Sequence, residues 1–160
     1  MRIRRATDDD WPSIWHIMSS VLASGDTYLL SPDTPEAAAR TYWTAPGVSV
    51  YVAELDGQIV GTYIIRANAP GQGAHVANAG YMVRPGMAGT GIGAAMGEHS
   101  LTEARAVGFR AMQFNAVVST NSRAVALWQR LGFAIVGTVP GAFRHPTRGF
   151  VDLHVMHRLL

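Results

Sequence analysis

A mixed α/β (α+β) fold, one central sheet with helices on both faces, is what three features of this sequence predict. Apolar residues recur at the two-residue period of strands and the 3.6-residue period of helices in turn along the chain. Asp56-Gly57 stands between two apolar runs near the middle, a strong hairpin signal. Helical segments fall on both sides of that hairpin in sequence, the interleaving expected of a sheet covered on both faces. With 160 residues, and no repeat, linker or low-complexity tract, the chain reads as a single domain, residues 1–160.

The elements follow in order. Arg2 to Ala6 is a short strand, and Thr7 is an N-cap before the acidic first turn Asp8-Asp9-Asp10. Trp11, Ile14, Trp15, Met18, Val21 and Leu22 recur at helical spacing up to Gly25, with Pro12 early enough to be tolerated. A loop to Pro35 leads into a short helix from about Glu36 to Thr44. Val48 to Leu55 and Gln58 to Ala67 form the central hairpin, and His75 to Val83 is the next strand. A glycine-rich loop, Gly86 to Gly93, opens a helix reaching about Val107. Met112 to Val118 is a strand, and Asn121 to Arg130 a helix stopped by Gly132. Strands near Phe133 to Val139 and Phe150 to Arg158 close the chain, around a loop with two prolines and two glycines.

Composition removes several classes of function. Hydrophobic residues make up 48% and charged ones 15%, which suits a packed core and not a disordered chain. There is no cysteine, hence no disulfide scaffold, thiol nucleophile or thiolate metal site. All 13 basic residues are arginine. The pI of 9.4 reflects missing lysine and cysteine titration on a net charge of only +2. It does not describe a basic surface, and nucleic acid is not the expected partner. No apolar run approaches the roughly 18 residues of a membrane span, and Asp8-Asp9-Asp10 interrupts any signal-like start. The expected setting is cytoplasmic. No histidine pair has clear metal-ligand spacing, so no metal is expected.

The stretch that carries chemistry is Met82-Val83-Arg84-Pro85-Gly86-Met87-Ala88-Gly89-Thr90-Gly91-Ile92-Gly93. A strand ends, four glycines follow and a helix begins. Glycines let backbone N–H groups close on a ligand, and a helix N-terminus adds unpaired donors and partial positive charge. The combination suits a pyrophosphate. It is neither the G-x-G-x-x-G of dinucleotide folds nor the phosphate loop ending in G-K-[ST], and by itself a flexible turn is the competing reading.

A second stretch, Asn121-Ser122-Arg123-Ala124-Val125-Ala126-Leu127-Trp128-Gln129-Arg130-Leu131-Gly132-Phe133, follows the next strand. Together the two stretches resemble the paired motifs of the GCN5-related N-acetyltransferase family, V-x-P-x-x-x-G-x-G-x-G and N-x-x-A-x-x-L-[aromatic]-x-x-x-G-F. In order and spacing the resemblance spans essentially the whole chain. It implies acetyl-CoA as co-substrate, held in a gap between splayed parallel strands ending near Val83 and Val118. Backbone groups of Met82 and Val83 would pair with the pantetheine arm. Gly89, Thr90, Gly91, Ile92 and Gly93 would hold the pyrophosphate, and Asn121 would bond the pantetheine region. Two departures stand out. Ala88 replaces the family's Arg or Gln phosphate contact, for which Arg84 or Arg123 could substitute. Trp128 replaces the usual Tyr, and an indole N–H is a donor without usable acidity.

His75-Val76-Ala77-Asn78-Ala79-Gly80-Tyr81-Met82-Val83 and Phe114-Asn115-Ala116-Val117-Val118-Ser119-Thr120-Asn121 resemble the matching segments of a yeast subgroup that acetylates azetidine-2-carboxylate and related proline analogues. By that resemblance Asn78 and Asn115 bind the substrate, and Tyr28, in Asp26-Thr27-Tyr28, roofs the acceptor pocket. Asparagine is unfavourable inside strands, so two of them ask for a reason, local backbone satisfaction being the alternative. The expected reaction is direct attack of a neutral amine on the thioester, which needs a base or a water relay. Glu54, Tyr63, His75 and Asp152 are the candidates for that base, with no residue preferred. A small amine, an amino acid or proline analogue, is the expected acceptor. A protein or peptide acceptor and a non-catalytic acyl-CoA-binding module are the alternatives, and a homodimer is implied by the resemblance alone.

Overall fold

In the computed structural model, which describes residues 1–160, seven strands form one sheet in the order β1-β2-β3-β4-β5-β7-β6. They are β1 (Arg2–Arg5), β2 (Ser49–Leu55), β3 (Gln58–Ala67), β4 (Val76–Val83), β5 (Ala111–Val118), β6 (Ala134–His145) and β7 (Gly149–Leu159). Every neighbouring pair is antiparallel except β4 and β5. Four helices cover the sheet: α1 (Trp11–Ser24), α2 (Glu36–Trp43), α3 (Ile92–Ala106) and α4 (Ser122–Arg130).

The period-2 alternation of the strands splits the core in two. Val52, Ile64 and Met82 point to one face, where Ile14, Ile17, Met18 and Trp43 of α1 and α2 bury them. Tyr51, Ala53, Tyr63 and Ile65 point to the other, under Ile92, Met96 and Leu101 of α3 and Trp128 of α4. The buried Thr62 is the polar exception on the first face. Its hydroxyl donates to the Tyr51 carbonyl at 2.9 Å and accepts from Trp43 Nε1 at 3.2 Å, so nothing is left unpaired. No helix is long and apolar enough to cross a membrane.

Two expectations are corrected here. Thr7 caps a single 3-10 turn, Asp8–Asp10, rather than α1 itself, and Asp10 folds back to accept from the Thr7 backbone N–H at 2.7 Å. More substantially, β6 does not stop at Val139 but continues to His145, with a register shift between Val139 and Phe143. Pro140 is tolerated there because β6 is an edge strand and needs no inward N–H at that point. The expected loop shrinks to the turn between His145 and Gly149.

Candidate active site

The sheet comes apart between β4 and β5. Their ladder has two register pairs, Val76↔Ala111 and Ala77↔Met112. Beyond these, β4 stays with β3 as far as Val83, while β5 stays with β7. Antiparallel pairing alternates which peptide groups face which neighbour. Asn68 N–H donates to Val76 O and Arg84 N–H to Val60 O, so even-numbered β4 residues face β3. Ala79, Tyr81 and Val83 therefore turn their N–H and C=O groups toward the opening. Met82, expected to contribute its backbone to the cleft, has it committed to β3 opposite Thr62; Tyr81 takes that place beside Val83. The opening is a cleft of about 760 Å³, within the usual size of a ligand pocket.

At the C-terminal end of β4 the glycine loop meets α3. Gly86, Gly89 and Gly91 sit at φ 84°, 86° and 88°, a region that side chains rarely adopt. Gly91 caps α3 with no side chain. Gly89 and Gly91 N–H groups make none of the turn, loop or cap hydrogen bonds, and the first α3 donor to find a partner is Ala95, on Gly91 O. Gly91, Ile92 and Gly93 thus present consecutive free donors at a helix N-terminus, a ready anion site. Ile92 also anchors the turn, its side chain buried in the core, and Thr90 folds its hydroxyl onto Met87 O at 2.7 Å. Ala88 lines the cleft but brings no phosphate donor. Arg123, in the first turn of α4, lines it too, whereas Arg84 is turned to Gln58 Oε1 at 2.9 Å.

Asn121 and Trp128 come to the cleft on α4. Asn121 Oδ1 accepts from Ala124 N–H at 3.2 Å, an N-cap, which leaves its Nδ2 available. The Trp128 ring is held by Tyr81 and Phe114, each with ring centroids 4.7 Å away. Its indole N–H has no partner in the chain and is not sealed in the core. Gly97 makes this packing possible. A Cβ there would lie 2.5 Å from Leu131 Cδ1 and 3.2 Å from Trp128 Cζ3.

The other end of the cleft carries Tyr28, Asn78 and Asn115. The Tyr28 hydroxyl donates to Tyr81 O at 3.0 Å, passing over Gly80, where a Cβ would lie 3.1 Å from it. Asn78 Nδ2 donates to Gln113 O at 2.9 Å, bridging the splayed strands and leaving Oδ1 without a partner. Asn115 lies at the register shift of β5 and is exposed. Its Nδ2 donates to Asn68 Oδ1 at 2.7 Å, and its Oδ1 accepts from Gln113 Nε2 at 2.9 Å. Both asparagines thus have local partners as well as cleft exposure. Burial pushes the Tyr28 and Tyr81 hydroxyls well above their usual range, so both are donors, not bases.

None of the four suggested bases lines this cleft. Glu54 is paired with Arg4 at 3.3 Å on the far side of β2. Tyr63 lies under α3, its hydroxyl 2.6 Å from His99 Nδ1 and its ring stacked on Tyr51 at 4.7 Å. Burial raises its pKa far above neutrality, which removes it as a base. His75 is exposed before β4, and Asp152 accepts from Gly141 N–H at 2.9 Å. The carboxylate that does line the cleft is Asp26, held by Ser24 Oγ at 2.6 Å. Arg66 and Tyr42 also line it and were not anticipated. The available signal was a lone arginine ending the apolar run of β3.

A splayed parallel pair with an open amide edge leads here into a side-chain-poor loop of helix N-terminal donors, the arrangement that the paired motifs implied. The sequence matches the Acetyltransferase (GNAT) family over residues 11–133, and the chain belongs to that family. Among curated proteins, it is 32% identical over 115 residues to the N-acetyltransferase aca1 of Schizosaccharomyces pombe, a match covering 70% of this chain. The chain spans 55% of that relative's length. A GCN5-related N-acetyltransferase from Kribbella flavida superposes with a TM-score of 0.93 at 45% identity, covering 99% of this chain and 97% of that one. A phosphinothricin acetyltransferase from Sinorhizobium meliloti, solved with acetyl-CoA, shares the fold at TM-score 0.88 and 24% identity, over 99% and 88% of the two chains.

The residues present fit acetyl-CoA. The Tyr81 N–H and the Val83 N–H and C=O match the amides of a pantetheine arm, and the free N–H groups of Gly89, Gly91, Ile92 and Gly93 match its pyrophosphate, while Thr90 N–H is bonded to Met87 O at 3.4 Å.

Proposed function

We propose that this protein is an acetyl-CoA-dependent N-acetyltransferase acting on the amine of a small molecule, an amino acid or proline analogue. The observation that carries the reading is a cleft lined by Tyr28, Asn78 and Asn115, with the glycine loop next to it. That loop reaches the cleft wall at Ala88, and the residues after Ala88 offer free peptide donors.

Acetyl-CoA supplies the acetyl group as an activated thioester. The chain's own part is to bind and orient. Gly89, Gly91, Ile92 and Gly93 receive the pyrophosphate on their free N–H groups, Thr90 instead shapes the loop through both its bonds to Met87 O, and Arg123 adds positive charge on the cleft wall. Val83, Tyr81 and Asn121 Nδ2 bond the pantetheine arm, and the side chain of Met82 supports the strand from below. Tyr28 closes the acceptor end above Gly80. Asn78 Oδ1, which accepts nothing within the chain, takes an N–H of the incoming amine, and Asn115 walls the opposite strand.

A new N–C bond forms as the C–S bond breaks, and the amine proton leaves to solvent. Asp26 is the carboxylate on the cleft wall, and it can serve that proton through a water. Backbone N–H groups along β4 near Val83 polarise the carbonyl oxygen as charge develops there. Trp128 Nε1–H donates to the departing sulfur without protonating it.

The test is thiol release from acetyl-CoA over a panel of free amino acids, simple amines and short peptides. Turnover with free amino acids or amines supports the reading. Steady-state preference for peptides transfers the activity to protein substrates, and tight CoA binding without turnover makes the protein a non-catalytic module. The resemblance also assigns a homodimer, which light scattering reads directly.

A further inference from the structure

We propose that Arg66 is the carboxylate anchor of the acceptor site, so that the acceptor is an amino acid with a free carboxylate rather than a neutral amine. This deepens, and rests on, the N-acetyltransferase reading.

Arg66 ends the apolar run of β3 and is half-buried on the cleft wall. A guanidinium in such a place is costly unless it is paired. Yet the ion pairs of the protein join Arg4 to Asp10 and Glu54, and Arg40 to Asp8. None involves Arg66. Asp26 shares the cleft but forms no ion pair with it.

Arg66 is nevertheless held in position. Its guanidinium lies 5.0 Å from the centroid of the Tyr42 ring, and Nη2 donates to the Tyr42 hydroxyl at 3.2 Å. One of five N–H donors is thereby used, and the fork that remains matches a carboxylate. A rigid, unpaired, partly desolvated guanidinium is a preorganised anion site.

The anion it meets is not a phosphate of acetyl-CoA. Arg66 stands opposite Asn78 in the β3–β4 register. Asn78 and Val83 are five residues apart on an extended strand, ~16 Å at ~3.3 Å per residue, and the glycine loop begins only after Val83. Arg84, directly after Val83 and in no ion pair, is the arginine at that distant end.

The neighbours of Arg66 complete an amino-acid pattern. Directly opposite residues of an antiparallel pair share a face. Asn78 therefore sets a free Oδ1, an acceptor for the amine, beside the cationic Arg66. The Asn78 and Asn115 amides have each used one of two N–H donors, on Gln113 O and Asn68 Oδ1, and both are neutral, so the charged fork of Arg66 is the stronger claim on an anion. Thr27 Oγ1, buried in the same wall with no partner, adds a further unmet polar group.

The test uses matched triplets of acceptors: azetidine-2-carboxylate, proline, alanine and methionine sulfone, each beside its carboxamide and its decarboxylated amine. Thiol release gives kcat and KM for wild type, Arg66→Gln and Arg66→Lys. The acid of a triplet should be favoured roughly 30-fold or more in kcat/KM over its two neutral partners. Arg66→Gln should erase that preference through KM, with kcat and the neutral acceptors little changed. Arg66→Lys, which keeps charge but loses the fork, should fall between. Turnover with equal preference for acid and carboxamide in the wild type overturns the Arg66 assignment and leaves the enzyme reading standing. An unchanged KM for the acid in a folded Arg66→Gln does the same. No thiol release from any triplet overturns both.

Discussion

The Tyr28 hydroxyl donates to the backbone carbonyl of Tyr81 at 3.0 Å, which ties the loop after α1 to the free edge of β4. One peptide carbonyl of the cleft is thus satisfied by Tyr28, the residue proposed to close the acceptor end. Tyr28→Phe keeps the ring, packed near Trp43 at 6.4 Å, and removes the bond. A net loss of about 1 kcal/mol is expected, as a severalfold rise in acceptor KM with the KM for acetyl-CoA nearly unchanged. Gly80→Val drives a side chain into the same hydroxyl and should cost more. Steady-state kinetics with both substrates varied separates the two effects.

Asn121 holds a cap and a cleft position together. Its Oδ1 receives Ala124 N–H, so Asn121→Ala should lower stability by about 1 kcal/mol and weaken acetyl-CoA binding. Asn121→Asp retains the cap and removes the Nδ2 donor. It should restore the melting temperature but not the acetyl-CoA affinity, read by calorimetry. Asn78→Ala should instead raise the acceptor KM. If Asn78→Ala weakens acetyl-CoA and Asn121→Ala only the acceptor, the division of the cleft is wrong.

Trp128 is fixed by Tyr81 and Phe114 while its N–H points to no partner. Trp128→Phe keeps an aromatic ring and deletes the donor. Loss of one charge-assisted bond to the leaving sulfur predicts kcat lower by about tenfold, with both KM values within a factor of about three. Trp128→Tyr supplies a hydroxyl that can protonate the thiolate, and should recover part of the rate. A kcat unchanged in Trp128→Phe removes the indole from the chemistry.

Asp10 gives a pH dependence remote from the cleft. Hydrogen bonds from Arg4 at 2.7 and 2.9 Å, helped by the Thr7 backbone N–H, hold its carboxyl at about 2, below the ordinary 3.8. A depressed native pKa stabilises the fold above the unfolded value. That contribution is fully present above about pH 4, declines as the pH falls, and is lost below about 2. It amounts to about 1–2 kcal/mol. Asp10→Asn should lower the melting temperature at pH 7 and flatten its fall between pH 4 and 2, as measured by calorimetry.

Much of the fold was legible because its signals are local. The Asp56-Gly57 turn sets the β2–β3 hairpin, and the alternation of Tyr51, Val52 and Ala53 assigns each side chain to one of two cores. The glycine loop was legible for the same reason, since a run of residues lacking side chains ahead of a helix points to close approach of the backbone to a ligand. What escaped depends on pairing between distant segments. Met82 and Tyr81 exchange backbone roles through the β3 register, which no local pattern carries. Glu54 and Tyr63 are plausible bases until Arg4 and His99 come beside them from other elements. Pro140 reads as a loop until its strand is known to lie at the edge. Arg66 becomes notable only once the absence of a carboxylate partner can be checked in three dimensions.

The central proposal is that one cleft brings an acetyl thioester and a small amine together. Its most direct test is mass-spectrometric detection of N-acetylated product alongside thiol release, with acetyl-CoA and free amino acids or proline analogues. The expected result is one acetylated amine per thiol released, and loss of turnover when the glycine loop is blocked by Gly91→Val. A folded protein that neither binds acetyl-CoA nor releases thiol with any amine would contradict it.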